Sequence, residues 1–258
     1  MRRWEELRPE FDRRGVQIVT VSTDTPEELW RALRGRPALT FAHHSAGDPV
    51  ATDWHIVPDP VLEPVTEIAS VHGSSESRDT PHPVSGGIAG NFVRDALDRG
   101  YRLGLIGSGD SHDGHPGLAH FGAPSGGLAG IVARERTRSA VLEALRARRV
   151  YATNGARIVL DVSLGGAPMG STVPANASEL AVRAASPVEI EAVEIVANGT
   201  VVQRVPTTGK VTGHKLTLPP DPTRRWLYVR VLGREGAAAW SSPFFFEGSP
   251  PESPAATD

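Results

Sequence analysis

Gly104-Leu-Ile-Gly-Ser-Gly-Asp-Ser-His-Asp-Gly-His-Pro-Gly117 opens as an apolar strand and turns abruptly into glycine, serine, one Asp-x-His pair and a second histidine. Asp110 and His112 stand two residues apart. If the strand continues that far, both side chains leave the same face. A carboxylate beside an imidazole at a strand's carboxyl end can hold a metal ion or pass a proton. Gly107 and Gly109 let the backbone bend and approach a ligand, and Gly114, Pro116 and Gly117 form a loop able to cover the position. The competing reading is a polar surface loop.

Working outward, the same grammar recurs. Ala38-Leu-Thr-Phe-Ala42 is a short apolar stretch that runs into His43-His44, and the run from Val61 to Ser70 leads to His72. Both read as strands, as does Leu103 to Ser108. A helical pattern of Phe92, Val93, Ala96 and Leu97, closed by Gly100, lies between the second and third. Strands alternating with helices imply a parallel sheet or barrel, with ligands at the carboxyl ends of the strands. Eight of the nine histidines fall between residues 43 and 120. Leu128 to Val132 reads as a further strand, and Thr137 as the cap of a helix with Val141, Leu142 and Leu145 on its apolar face.

Beyond Gly155 the texture becomes all-β. Ile158, Leu160, Val162 and Leu164 alternate up to Gly165-Gly166, and Asn198-Gly199 joins two apolar runs as a hairpin turn does. Trp226 to Leu232 and Ala239 to Phe246 complete a pattern of short strands expected of an immunoglobulin-like sandwich. At the other end, Trp4, Leu7 and Phe11 have helical spacing, Val16 to Ser22 reads as a strand, and Thr25-Pro-Glu-Glu28 starts a second helix.

Composition narrows the chemistry. There is no cysteine, so disulfides, thiolate metal sites and cysteine nucleophiles are excluded, and a metal must be held by His, Asp or Glu. A net charge of −3 gives no reason to expect a nucleic acid or an anionic membrane as partner. No apolar run is long enough to span a bilayer. Met1-Arg-Arg-Trp-Glu-Glu6 leads into an amphipathic pattern and not a signal-peptide core, which makes the cytoplasm the default compartment.

Ala42-His-His-Ser-Ala46, Thr66-Glu-Ile-Ala-Ser-Val-His-Gly-Ser-Ser-Glu76, Gly107-Ser-Gly-Asp-Ser-His112 and Arg146-Ala-Arg-Arg-Val-Tyr-Ala-Thr-Asn-Gly-Ala-Arg157 together resemble the DUF3604 proteins. These form a branch of the polymerase-and-histidinol-phosphatase (PHP) superfamily of metal-dependent phosphoesterases. The resemblance runs from about Leu39 to Phe246. It implies an α/β fold: a partial, distorted (β/α)7 barrel in residues 1–155, with 1–36 poorly matched, then an immunoglobulin-like β-sandwich in 156–247; residues 248–258, rich in Pro, Ser and Ala, read as a disordered tail. It also implies divalent ions (zinc, manganese or iron) held by His43, His44, Asp110 and His112, with His72 and His115 placed to contact substrate or act in catalysis. Glu67 and Glu76 stand nearby as ligand or base.

The implied activity is hydrolysis of a small-molecule phosphate ester by metal-activated water. The superfamily's opening His-x-His occurs nowhere in this chain. The chain therefore looks like the back half of the barrel, with an open edge that a partner or oligomer would cover. The alternative is a non-catalytic remnant whose sandwich serves in binding or assembly. A shorter resemblance of Val21-Ser-Thr-Asp-Thr-Pro-Glu-Glu28 to peroxiredoxins lacks the cysteine on which that chemistry depends.

Overall fold

The computed structural model describes residues 26–110, 112 and 126–248. The helix and strand expected before Thr25, the loop carrying His115 and His120, and the tail beyond Gly248 lie outside the described residues. Helix α1 (Pro26–Leu33) belongs to one compact unit, Met1–Arg36, and all other elements to a second, Pro37–Asp258. Within the described residues no helix is long and apolar enough to cross a membrane.

The second unit is layered around one sheet whose central strands are buried on both faces. Its first part contains β1 (Val65–Ser70), β2 (Gly73–Ser74), α2 (Val93–Asp98) and β3 (Gly104–Gly107), which make a three-stranded sheet in the order β2-β1-β3. Next come β4 (Leu128–Ile131), α3 (Arg138–Arg146) and β5 (Val150–Thr153). Thr137 caps α3 by accepting the Ala140 amide at 3.2 Å.

The remaining strands are β6 (Val159–Leu164), β7 (Ala167–Pro168), β8 (Thr172–Val173), β9 (Glu179–Ala185), β10 (Ile190–Ala197), β11 (Thr200–Pro206), β12 (Val211–Thr217), β13 (Trp226–Gly233), β14 (Ala238–Ser241) and β15 (Phe244–Phe246). The large sheet runs β11-β10-β13-β14-β5-β4, with β15 paired to β13 and β8 to β15, and a four-stranded sheet runs β12-β9-β6-β7.

Alternation along β13 explains the layers. Leu227, Val229 and Val231 point into one core with Leu160 and Val162 of β6 and Leu180 and Val182 of β9. Trp226 and Tyr228 point the other way, into a second core with Ile68 of β1, Leu105 of β3 and Val93 and Leu97 of α2. A strand covered on both faces loses the polar half of its alternation, which is why Trp226 to Leu232 is almost continuously apolar.

The expected α/β (β/α)7 barrel is overturned. Fifteen strands stand against three α-helices, and no barrel closes among the described residues. β1 and β3 are parallel with α2 as their crossover, as the alternation of elements implies. The chain then departs from barrel logic. β4 and β5 are antiparallel although a helix joins them, and β5 pairs with β14.

The physical cause is local. After α3 the chain turns at Arg148, whose φ is 57°. The Asn154 amide then pins the end of β5 to the start of β14, accepting the Ala238 N–H at 2.8 Å and donating to the Gly236 carbonyl at 2.7 Å. The order of elements carries none of this directional information. The stretch Ala38–Ala42 is likewise no strand. It runs beside β1 and is held by single bonds, Thr40 N–H to the Leu62 carbonyl at 2.6 Å and Glu67 N–H to the Ala42 carbonyl at 3.0 Å.

One buried carboxylate ties the parallel unit to the large sheet. Glu76, fully buried, accepts from Arg230 at 2.9 and 3.0 Å, Arg94 at 2.9 Å and the Trp240 indole at 2.7 Å, and also from the Tyr228 and Thr80 hydroxyls. Burial alone would raise its pKa, but Arg230 and then Arg94 outweigh burial and hold it below the usual value. A carboxyl whose folded pKa is depressed contributes stability that is present above its unfolded pKa and lost as pH falls through the folded one.

Glu76→Gln leaves two buried guanidinium groups short of a partner and costs about 3–5 kcal/mol in denaturant unfolding at neutral pH. The gap between variant and wild type narrows as pH drops below the ordinary glutamate range, because the wild-type carboxylate is then protonated too. A constant gap across that range contradicts the assignment.

Candidate metal centre

The parallel pair sets the geometry of the site. β1 and β3 end at the same edge, and the segment 38–42 comes up beside β1 to the same level. His43 and His44 therefore arrive at the carboxyl end of β1, His72 follows that strand directly, and Asp110 and His112 follow β3. Between Glu67 and Ala69 the register of β1 against β3 slips, stepping from Glu67↔Ile106 to Ala69↔Gly107. Such a bulge re-aims side chains beside a functional edge.

Glycine makes the close approach possible. A Cβ on Gly127 would lie 2.1 Å from the Ala69 carbonyl oxygen, and one on Gly126 would lie 2.3 Å from the Gly109 carbonyl. The chain re-entering at Gly126 thus lies flat across the ends of β1 and β3.

Asp110 is the centre of the cluster. Its Oδ2 lies 3.3 Å from His43 Nε2 and 3.2 Å from His72 Nε2, and its Oδ1 lies 2.7 Å from His112 Nε2. His72 Nε2 and His112 Nε2 are 3.3 Å apart. The rings of His43 and His44 stand with centroids 4.0 Å apart, and those of His44 and His72 at 5.6 Å. Two three-donor groups result, His43/His44/Asp110 and His72/Asp110/His112, each with ligand atoms within 4.8 Å of one another, and they share Asp110. The backbone is bent to achieve this: φ is positive at His44 (28°), Asp110 (49°) and His112 (55°). Left-handed backbone at non-glycine residues is uncommon and gathers at functional sites.

Behind the cluster, Glu67 is completely buried and orients it. One carboxylate oxygen accepts from His43 Nδ1 at 2.9 Å and from the Ser108 hydroxyl. The other accepts the His44 backbone N–H at 3.0 Å. In the neutral ring, with the carboxylate accepting at Nδ1, the lone pair of His43 lies on Nε2, toward Asp110. Burial lowers the His43 pKa, but the Glu67 hydrogen bond and the charges of Glu67 and Asp110 outweigh it, so the net shift is upward. His44 shifts downward, through burial and then the neighbouring His43.

The residues fit a divalent cation. Asp110 Oδ2 and His44 Nδ1 are buried with no hydrogen-bond partner, despite the short approaches to Oδ2. An unpaired buried carboxylate oxygen is costly, and imidazoles with a carboxylate suit zinc, manganese or iron.

His43, His44, His72, Asp110 and His112 are brought together by the fold. Glu76 is set apart in the structural network already described, with its oxygens occupied. His55 is exposed and bonded to Asp53 at 2.7 Å, and His214 sits between Thr207 and Thr212 at 3.1 and 2.8 Å. Arg149 pairs with Glu143 on the surface. In sequence Glu67 reads as a ligand or base and Ser108 only as a polar residue near the motif. Their joint role needs the parallel register of β1 and β3.

Residues 117–188 match the family model DUF3604, a protein of unknown function. The chain is 30% identical over 217 residues to an uncharacterized protein of Chlamydia pneumoniae, covering 73% of this chain and 35% of that protein. It is 28% identical over 219 residues to an uncharacterized protein of Chlamydia trachomatis, again covering 73% and 35%. The chain thus spans about a third of the length of the curated relatives it matches.

Two glycine substitutions test the packing of the edge. Gly127→Ala forces the strand ends apart and costs about 1–3 kcal/mol in denaturant unfolding, the usual range for overpacking. Gly109→Ala, where a Cβ meets nothing within 4 Å, leaves stability unchanged. Equal effects at the two positions contradict the close approach described here.

Proposed function

We propose that this chain carries the ion-binding part of a metal-dependent hydrolase acting on phosphate esters. The observation that carries the reading is the Asp110 carboxylate, with one buried oxygen that lacks a hydrogen-bond partner and three imidazoles turned toward it. The resemblance of the four sequence blocks to the DUF3604 branch of the PHP superfamily supports the same chemistry. His43, His44, Asp110 and His112 hold the ion, and Glu67 keeps His43 in the tautomer that ligation needs. A bound divalent ion would supply a Lewis acid for the phosphoryl oxygen and lower the pKa of a water.

The protein's own contribution is placement and proton handling. The cluster sits on the ends of paired strands, and Glu67 braces it from a dry interior, so a substrate meets an arrangement already set. His72 is half-exposed at 45% and borders both Asp110 and His112 through Nε2. From there the protonated ring gives its proton to the departing alcohol oxygen as the phosphorus–oxygen bond to the alcohol breaks, the water oxygen stays on phosphorus, and a proton released by that water restores the ring. His115 belongs to the same proposal as a substrate contact and lies outside the described residues.

The test begins with the full chain stripped by chelator and reloaded with zinc, manganese or iron. Elemental analysis and calorimetry should find stoichiometric uptake that Asp110→Ala abolishes and His55→Ala leaves unchanged. Glu67→Ala should weaken ion affinity by about 10–100-fold, the usual effect of removing a ligand's orienting partner. The loaded protein should hydrolyse phosphomonoesters in an ion-dependent way. Ion uptake that survives Asp110→Ala, or uptake without hydrolysis of any phosphate ester, contradicts the proposal.

A further inference from the structure

A cavity of about 220 Å³ opens beside the histidine cluster and shares one wall with it. His72 is that wall. The rest is Ser70 at the end of β1, the turn through Val71 to Ser74, the segment Pro81–Pro83, and Asn154 with Trp240 from the large sheet. The cavity therefore lies where the parallel unit meets the middle sheet, a favoured place for ligand sites.

Its walls are held by backbone contacts. Ser74 N–H donates to the His82 carbonyl and Val84 N–H to the Ser74 carbonyl, both at 2.8 Å, and a Cβ on Gly73 would lie 2.8 Å from the Pro83 carbonyl oxygen. His82 is locked against Gly236, where a Cβ would come within 2.2 Å of its Nε2. The space is thus built into the fold and is not a gap between loose side chains.

Chemistry and size limit what can enter. Among the described residues no Lys, Arg, Asp or Glu lines the cavity; the Trp240 indole is already bonded to Glu76 and the Asn154 amide to Gly236 and Ala238, so hydroxyls and two imidazoles are left to meet a ligand. A charged group entering here would lose its hydration with no opposite charge to meet it. Ser70 Oγ accepts the His72 N–H at 3.2 Å, which leaves the hydroxyl proton available to donate. The volume equals that of roughly seven waters, too small for a dinucleotide or a folded peptide.

We infer that this cavity receives the uncharged, hydroxyl-bearing alcohol part of the substrate, a single sugar or polyol unit, while the anionic part faces Asp110 and the histidines. The inference rests on the hydrolase reading and deepens it by naming the class of leaving group. The ester oxygen then lies beside His72. Cleavage adds water across the phosphorus–oxygen bond, the phosphate leaves from the ion side, and the alcohol takes a proton and stays in the cavity until it dissociates.

Two readouts test it, one of them independent of activity. On chelator-treated full chain, saturation-transfer NMR with methyl α-D-glucopyranoside and with glycerol should show transfer to the wild type. Transfer should be lost in Val71→Phe and Pro81→Phe, which narrow the cavity from two sides, with circular dichroism and melting confirming that at least one variant is folded. On the ion-loaded chain, kcat/KM for a hexose phosphate should exceed that for O-phosphoserine by about tenfold or more, and the folded variant should lose that preference.

Absence of transfer to the wild type, or transfer unchanged in a folded variant, overturns the inference. Sugar binding with no ester hydrolysed keeps the cavity and sinks the hydrolase. Hydrolysis without sugar preference or sugar binding does the reverse.

Discussion

The carboxylate of Glu76 is the point through which the parallel unit and the large sheet become one body. Its donors come from Thr80, α2, β13 and β14, and Arg230 extends the chain of charges to Glu194 on β10 at 2.6 Å. A carboxylate buried this deeply is tolerated because every acceptor site is filled and two guanidinium groups neutralise it. The consequence reaches the site. Ser74 and Glu76 lie a few residues past His72 on one short stretch, so the anchor that holds β2 against the large sheet also fixes the turn carrying His72.

The same arrangement explains why the outer layer is not a barrel. The large sheet offers one face to the four-stranded sheet β12-β9-β6-β7 and the other to β1, β3 and α2, and it is the second face that covers the parallel unit. Apolar burial that a closed barrel would supply from its own strands is supplied here by Trp226, Tyr228 and Trp240. β5 belongs to that covering sheet, tied to β14 by the Asn154 amide.

Much of the site was legible from residues alone. Imidazoles following apolar stretches at 43, 72 and 112 point to one edge, and β1 and β3 lie parallel as the alternation of strand and helix implies. The strands beyond Gly155 announce themselves by alternation and by the Asn198-Gly199 turn, which joins β10 to β11. Strand direction after Ile131 was not legible, because a helix between two strands reads the same whether the strands end parallel or antiparallel. The stretch 38–42 has the composition of a strand but only isolated bonds to its neighbour. Composition reports burial there and not pairing. The separate tasks of Glu67 and Glu76 were hidden for a similar reason. Both are buried glutamates near His72, and only the register and the arginines of distant strands make one a brace for histidine and the other an anchor.

The central claim is that the unpaired Asp110 oxygen marks a cation site braced by Glu67. Crystals of the full chain soaked in manganese, with diffraction recorded for anomalous scattering, test it most directly. The account predicts an anomalous peak within ligation distance of Asp110 and of at least one of His43, His44, His72 and His112, absent from Asp110→Ala crystals treated alike. A peak confined to other residues, or none beside Asp110 in a well-ordered wild-type crystal, would contradict it.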